Sequence, residues 1–518
     1  MSVHHRKHHH LGTRSLGSVY RLLILSLFAS WCLPGFCFSQ TVDLTLERAV
    51  GIAMENSYRI HRLELGIERT RLFLQARQAQ LKSSVSLRLK SPEFEKLSDY
   101  KWNSTLQRDE IVRQNTRLWE ARLSVSQPVI LFGYPTNGYL SLNSRTYRYN
   151  QREDDTYDTT WYNRYFVRYS QPILQPNFLK NNITRAELDL ERENLRYISD
   201  QVDLIDDIAD DYYDLFEEVY RSKIYANQVE DLERVLDIAE TVADDDPDRK
   251  IELLQVQLEL GNARERLLRN RSRVRSETER LRGNIGLHKD ALVTLDPEID
   301  IRPLEVNAEE AVRYGLSLRP QLRQLEIQKK KEQIDLDNTR GRNAFHLNLE
   351  LTYGMEKQDE VFNDLWSQYD NSYSVSVEAY IPIWDWGRRK MLIAADKISL
   401  RRSELAAEEF QEKVVTDIQN AVENLQEFQR RALTMEAHLA TSESLTEASI
   451  EKYEEGKMAL QDLLRSISTQ AETGRSFLDA YLGYRKSILS LMTKTYFDFE
   501  FGQPLIERFQ VRHSTTKG

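Results

Sequence analysis

Two hydrophobic periodicities take turns along this chain. Ile198, Val202, Ile205, Ala209, Tyr212, Phe216 and Val219 recur at alternating spacings of four and three, the apolar seam of a coiled coil. Acidic residues fill the positions between them (Asp203, Asp206, Asp207, Asp210, Asp211, Asp214, Glu217 and Glu218). The pattern predicts a helix over 184–243, roughly 90 Å long at ~1.5 Å rise per residue. Such a rod cannot bury its seam alone. The run Asp244-Asp245-Asp246-Pro247 ends it and a second rod is expected over 248–284. Gly456 breaks the corresponding helix in the second half, ahead of a rod over 460–495. The acidic runs are read as solvated faces.

The second periodicity is two. Val85, Leu87 and Leu89 alternate with Ser84, Ser86 and Arg88, and Leu347, Leu349 and Leu351 with His346, Asn348 and Glu350. Tyr165, Val167 and Tyr169 alternate with Phe166, Arg168 and Ser170, and Tyr373, Val375, Val377 and Ala379 with Ser374, Ser376, Glu378 and Tyr380. These are strands with one polar face and one apolar face turned to core or lipid. They are expected near 83–91, 163–173, 345–354 and 372–383. On this reading His346 is a polar-face histidine.

The whole order is duplicated. Ala49-Val50 recurs as Ala311-Val312, Leu63-Glu64 as Leu325-Glu326, and Val85, Leu87 and Leu89 as Leu347, Leu349 and Leu351, all 262 residues on. Further along the offset is 210, as in Asp207-Ile208 with Asp417-Ile418 and Glu252-Leu253-Leu254 with Asp462-Leu463-Leu464. The first copy therefore carries 52 additional residues within about 92–160. That insertion contains another candidate hairpin, 121–132 and 139–149, around Gly133 and the turn-forming Pro135-Thr136-Asn137-Gly138. Eight of the 25 tyrosines lie between Tyr134 and Tyr169, beside Trp161, an enrichment that suits a membrane–water boundary and also an ordinary aromatic sheet.

Composition changes this picture at one end. Segment 1–39 has a basic start (Arg6, Lys7, Arg14, Arg21), an apolar stretch from Leu22 to Ala29 and a small residue, Ser39, before Gln40, the layout of a secretory signal peptide. Its removal would take away both cysteines, Cys32 and Cys37, and four positive charges, moving the formal net charge from -10 to -14. A cysteine-free exported chain has no disulfide framework, thiolate metal site or cysteine nucleophile. His61, His288, His346, His438 and His513 are scattered, so no metal or other cofactor is expected. The acidity argues against a nucleic-acid partner. Without ~18 consecutive apolar residues after the leader, a membrane crossing would have to be made by strands.

Leu44-Thr45-Leu46-Glu47-Arg48-Ala49-Val50, the strand ends Gln171-Pro172 and Ile381-Pro382-Ile383-Trp384-Asp385-Trp386-Gly387, and Tyr453-Glu454-Glu455-Gly456-Lys457-Met458-Ala459-Leu460-Gln461-Asp462-Leu463-Leu464 together resemble the TolC family of bacterial outer-membrane efflux proteins. The resemblance covers nearly the whole chain after the leader. It implies a mainly α fold with β, in two repeats (40–285 and 304–497), joined by an equatorial segment at 286–303 and followed by a tail at 498–518. Each repeat would hold a long helical hairpin, 184–285 and 388–496. Four main strands per chain would make a 12-stranded barrel in a homotrimer. It further implies an outer-membrane location with a periplasmic helical extension, and as partners outer-membrane lipid, a periplasmic adaptor and an inner-membrane transporter.

By the same resemblance Tyr453, Gly456 and Leu460 are periplasmic tip residues where an adaptor docks, and Asp462 lines the pore entrance. Arg465, where some members carry a second acid, and Glu252, at the acidic position of the first copy, are further entrance candidates. The expected function is a passive duct of a tripartite efflux or type I secretion system, not an enzyme, since no nucleophile elbow, P-loop or His-Glu-x-x-His motif occurs. The alternative is a periplasmic coiled-coil structural or adaptor protein that never inserts in a membrane. The duplicated strand pair, with its lipid-compatible alternation and aromatic enrichment, discriminates against it, since an adaptor would need one hairpin and not two.

Overall fold

The computed structural model of the chain describes residues 41–153, 156–245, 249–289, 291–342 and 344–510. The leader at 1–39 and the Asp246-Pro247 stop therefore lie outside the described residues. A short strand β1 (Thr41–Asp43) leads into α1 (Leu46–Asn56) and α2 (Tyr58–Ala79), then four strands, β2 (Ser84–Asn103), β3 (Arg108–Leu131), β4 (Tyr134–Glu153) and β5 (Thr156–Ile173). Two long helices follow, α3 (Phe178–Asp245) and α4 (Lys250–Asn284). After β6 (Leu292–Thr294) the second copy runs through α5 (Ala308–Leu318), α6 (Pro320–Arg342), β7 (His346–Asp359), β8 (Asp370–Tyr380), α7 (Arg388–Glu454) and α8 (Leu460–Thr495). Short strands β9 (Phe497–Asp498) and β10 (Gln503–Pro504) and helix α9 (Leu505–Gln510) close the chain.

The duplication is structural. The starts of α1, α2 and β2 are 262 residues from those of α5, α6 and β7, and the starts of α3 and α4 are 210 from those of α7 and α8. Local chemistry fixes several of these starts. Thr45 accepts a hydrogen bond from the Arg48 N–H at the head of α1, and Asn307 accepts from the N–H groups of Glu309 and Glu310 at the head of α5. Both are oxygen N-caps that satisfy donors the helix cannot use.

The helices of 68 and 67 residues are each roughly 100 Å long and must share their seams. Val202, Ile205, Ala209 and Phe216 are buried, and Ile198, Tyr212 and Val219 pack against them partly covered. The same core takes Val414, Ile418, Val422 and Leu425 from α7 and Leu478, Tyr484, Ile488 and Leu491 from α8, so the two helical hairpins form one bundle. The tail is locked to it: Arg508 pairs with the fully buried Asp498 at 2.7 Å and with Glu47 of α1 at 2.5 Å. Parallel pairing of β1 with β6 ties the start of the first copy to the equatorial segment.

The acidic face of α3 differs from the simple solvated stripe expected. Arg59 reaches Asp207 at 2.5 Å, Arg280 reaches Asp211 at 3.1 Å and Asp214 at 2.5 Å, and Lys486 reaches Asp210 at 3.1 Å. Exposed pairs are each worth little, but their partners sit on α2, α4 and α8, so they fix the rotation of α3.

All six longer strands form one antiparallel sheet in the order β2-β3-β4-β5-β7-β8. The four expected strands are present. The insertion adds two more between β2 and β5, because its alternating polarity matches that of its neighbours. The tight turn lies at Phe132 and Gly133, both at positive φ, while Pro135 to Gly138 enter β4. Strand β8 ends at Tyr380 and not near 383: Pro382 has no N–H to donate and Trp386 and Gly387 turn left-handed ahead of α7. No described helix is long and apolar enough to cross a membrane.

One carboxyl on α3 should make stability depend on pH. Burial, then repulsion from Asp210, Asp207 and Asp203, pushes Asp206 up to about 6, against some relief from Lys494. A carboxyl whose folded pKa is raised holds its proton more tightly when folded. Its stabilisation is thus present below about pH 4 and is lost as pH rises through 6. Asp206→Asn should raise the unfolding free energy at pH 7.5 by on the order of 1–2 kcal/mol, and the thermal midpoint with it, with the difference shrinking by pH 4. An equal difference at both pH values in thermal scans would count against this assignment.

Candidate functional site

The sequence candidates gather where α3–α4 and α7–α8 turn back. Helix α7 ends with Gly456 at φ 71°, where the Gly456 N–H donates to the Tyr453 carbonyl at 2.9 Å and the Lys457 N–H to the Lys452 carbonyl at 2.8 Å. This is a left-handed C-terminal cap. A Cβ on Gly456 would meet nothing, so the glycine answers a backbone need alone.

Tyr453 is 1% exposed and packs in a second core with Leu232, Val235, Val256, Leu463 and Ile467. Its hydroxyl donates to the Glu252 carboxylate at 3.1 Å, linking residues 201 apart in sequence. Burial, then that carboxylate, pushes the Tyr453 hydroxyl up to about 12. Arg249 braces the other oxygen of Glu252 at 3.4 Å. Above this link the guanidinium of Arg234 on α3 meets both oxygens of Glu447 on α7, at 3.0 and 2.9 Å, the bidentate geometry that gives an Arg–carboxylate pair its directionality.

The structure therefore divides the candidates. Tyr453 and Leu460 are buried within this chain, so the surface open to a partner at the tip comprises Glu454, Glu455, Gly456 and Lys457. Glu252 is half-buried and acts as a strut between the two hairpins. Asp462 and Arg465 are exposed on the first turns of α8. Neither has an ion-pair partner among the described residues, so the internal pairing that their spacing permits is not formed. Asp462 also suits the positive end of the α8 dipole.

The sheet holds the other part of the site, which register exposes. One row across all six strands reads Val85, Val125, Leu142, Val167, Tyr353, Tyr373, wholly apolar. The row three residues along β2, on the opposite face, reads Arg88, Arg122, Arg145, Arg164, Glu356, Asp370. Four adjacent arginines stand about 4.8 Å from one another at the backbone. Glu120 bridges Arg122 and Arg145, both at 2.8 Å, and Glu356 meets Arg164 at 3.1 Å. Strand alternation was legible beforehand; this arginine row was not, because its members lie on four strands whose register only the ladder supplies.

Along this row the apolar face is uncovered, with Val85 68% and Tyr373 83% exposed; nearer Trp161 it turns polar at Thr146, Asn163 and Lys357, and Phe362 and Tyr369 pack over Trp161 and Tyr165. It is bounded at the helix end by exposed Trp384 and Trp386. At the far end Trp119, Arg148 and Trp161 share a row, with Arg148 over the Trp161 ring at 5.3 Å. From Trp161 to Ile173 along β5 is about 40 Å of strand, or about 30 Å of height at a ~40° tilt, the thickness of a bilayer's hydrocarbon core. Aromatic residues at both limits of an apolar band are what lipid–water boundaries select.

Tyr453→Phe removes the hydroxyl link and nothing else. It should loosen the tip by about 1.5–3 kcal/mol, the usual worth of a hydrogen bond to a charged group. Amide hydrogen exchange across 450–465 should quicken relative to the equatorial core; unchanged exchange there would show that the link carries no weight.

Comparison with known proteins agrees with this geometry. Residues 315–493 match the family model described as outer membrane efflux protein. No curated protein matches in sequence. Among solved structures, CusC, studied for the conformational changes accompanying folding and transmembrane channel formation, superposes with a TM-score of 0.64 over 88% of this chain and 93% of its own at 13% identity. The CmeC outer membrane channel of Campylobacter jejuni gives 0.63 over 91% and 93% at 11% identity. The open state of the Neisseria gonorrhoeae MtrE outer membrane channel gives 0.61 over 87% and 88% at 13% identity. At such identities the likeness is one of fold.

Proposed function

From a chain whose residues 315–493 match the outer membrane efflux protein family and whose fold is like that of outer-membrane channels, we propose a passive export duct. Three copies assemble in the outer membrane, with the helical bundle standing in the periplasm. Solute is handed over by an inner-membrane transporter through a periplasmic adaptor. The duct performs no covalent chemistry and binds no cofactor.

The observation that carries this reading is the sheet. One face carries a bare apolar band, the other is charged, and β2 and β8 are edges without a partner strand among the described residues. Open edges in hydrocarbon leave unsatisfied backbone groups, so the sheet requires copies of itself. The helices continue from the sheet, and the exposed Glu454 to Lys457 turn offers the adaptor its contact. Of the entrance candidates, Asp462 and Arg465 suit a pore mouth by their exposure. Three Asp462 carboxylates about a common axis would favour cations. A non-inserted adaptor would have no use for a six-stranded sheet with a lipid-compatible face.

Membrane fractionation of the full chain tests the assignment: it should appear in outer membranes as a detergent-resistant, heat-labile trimer. Recovery as a soluble periplasmic monomer would overturn it. In planar bilayers Asp462→Ala should lower cation preference or relieve block by divalent cations, and an unchanged current–voltage curve would remove Asp462 from the entrance.

A further inference from the structure

The inserted hairpin is the feature that the proposed function leaves unused. The resemblance to the TolC family implies four strands per chain, yet this sheet has six. We propose that β3 and β4 are part of the barrel wall, so that three chains close an 18-stranded barrel in place of a 12-stranded one. This rests on the trimeric outer-membrane reading above.

Four observations carry it. The hairpin pairs on both sides, β3 with β2 from Ser126 to Arg108 and β4 with β5 from Tyr139 to Glu153, so removing it would break two full ladders. It also obeys the wall's polarity: Ala121, Leu123, Val125, Leu140 and Leu142 fall on the apolar face, while Glu120, Arg122, Asn143 and Arg145 fall on the charged one. A hairpin folded into the lumen or lying outside would have no reason to keep that parity in step with β2 and β5.

The hairpin's base is also built into the junction with the helices. The Asn137 side chain donates to the Pro176 carbonyl at 2.6 Å and accepts from the Leu179 N–H at 3.1 Å, at the head of α3. Thr136 donates to the Gln171 side-chain oxygen at 3.0 Å, and the Gln171 amide returns a bond to the Thr136 carbonyl at 2.8 Å. A Cβ on Gly138 would lie 2.2 Å from that Gln171 oxygen and 3.2 Å from the Ser170 carbonyl, so any larger residue would displace the Gln171 side chain from its bond to Thr136. Finally, an added hairpin keeps the strand number even. The edge strands β2 and β8 therefore run in opposite directions, and β8 of one copy meets β2 of the next as an antiparallel pair, as closed outer-membrane barrels require.

The consequence is width. With strands ~4.8 Å apart and tilted ~40°, 18 strands enclose a backbone cylinder roughly 36 Å across, against roughly 24 Å for 12. The hairpin also supplies Arg122 and Arg145, two of the four arginines of the charged row, and Glu120 between them. The membrane section becomes a vestibule broader than that of a 12-stranded duct.

Electron cryo-microscopy of the full chain in lipid nanodiscs gives the direct count, expected as 18 strands about a three-fold axis. Three-fold particles with 12 strands and β3–β4 outside the wall would overturn this proposal and leave the trimeric duct standing. Two-fold or monomeric particles would overturn both. Disulfide trapping gives an independent reading, since both native cysteines, Cys32 and Cys37, lie in the leader. Ser86→Cys with Ser124→Cys, directly opposed across β2 and β3, should cross-link under mild oxidant. Ser86→Cys with Phe166→Cys, on the same row but three strands apart and thus about 14 Å away, should not. Cross-linking of the second pair and not the first would place β2 against β5 and exclude the hairpin from the wall.

Discussion

A backbone N–H or C=O in hydrocarbon must find a partner within the protein, and an open sheet cannot supply one at its edges. The arrangement of this chain follows from that constraint. Its sheet has a bare apolar face and two unpaired edges, so a single copy is an incomplete object and closure has to come from other copies. Once copies are arranged around an axis, the charged face is the inward one, and the arginine row that looks costly on an isolated sheet borders water. The partial neutralisation of that row by Glu120 and Glu356 limits the mutual repulsion of four adjacent guanidinium groups without abolishing the positive character of Arg88 to Arg164.

The helices meet the same demand in a different solvent. In water a lone seam is penalised by exposed hydrocarbon rather than by unmet hydrogen bonds. The two hairpins pack α3, α4, α7 and α8 into a common core at the equator, where the tail and the paired β1 and β6 brace it. Toward the tip that core gives way to a separate, smaller one built around Tyr453. The smaller cluster buries less, so polar links such as Tyr453 to Glu252 and Arg234 to Glu447 account for a larger share of what holds the hairpins together there. Stability graded in this way leaves the tip as the end free to move while the sheet and equator stay fixed.

The sequence conveyed element type well and spatial partnership poorly. Val85-Leu87-Leu89 and Tyr165-Val167-Tyr169 announced strands because alternation is local, and the spacing of Val202, Ile205 and Ala209 announced a rod for the same reason. The duplication extended both readings to the second half. The upper parts of β2 and β3 were hidden, because the irregularity between Lys90 and Glu93 breaks the parity just as the strands leave the apolar band. Gln171 was visible only as half of a strand-end motif, whereas in space it clasps Thr136 of the insertion. Tyr453 and Leu460 could be assigned to the tip by resemblance, but whether they faced a partner or their own core depended on Val256 and Leu232, some 200 residues away.

Charge along the molecule now has a direction. Arginines dominate the middle of the sheet's polar face, while at the opposite end Glu454, Glu455 and Asp462 are interspersed with Lys457 and Arg465. In the proposed duct a solute crossing from tip to sheet would pass from a mouth of mixed charge to a belt that attracts anions. In a passive duct of the kind proposed, weak attractions are an advantage: deep binding at any level would stall transit, and conduction requires sites favourable enough to enter yet weak enough to leave. A membrane section as broad as the one proposed would work the same way, since a charge held off the wall by many ångströms of water would feel the belt only through a screened field. Selectivity then resides where the passage is narrow, at the tip, and the hydrogen bond from Tyr453 to Glu252 ties together the two hairpins that would have to part for it to widen.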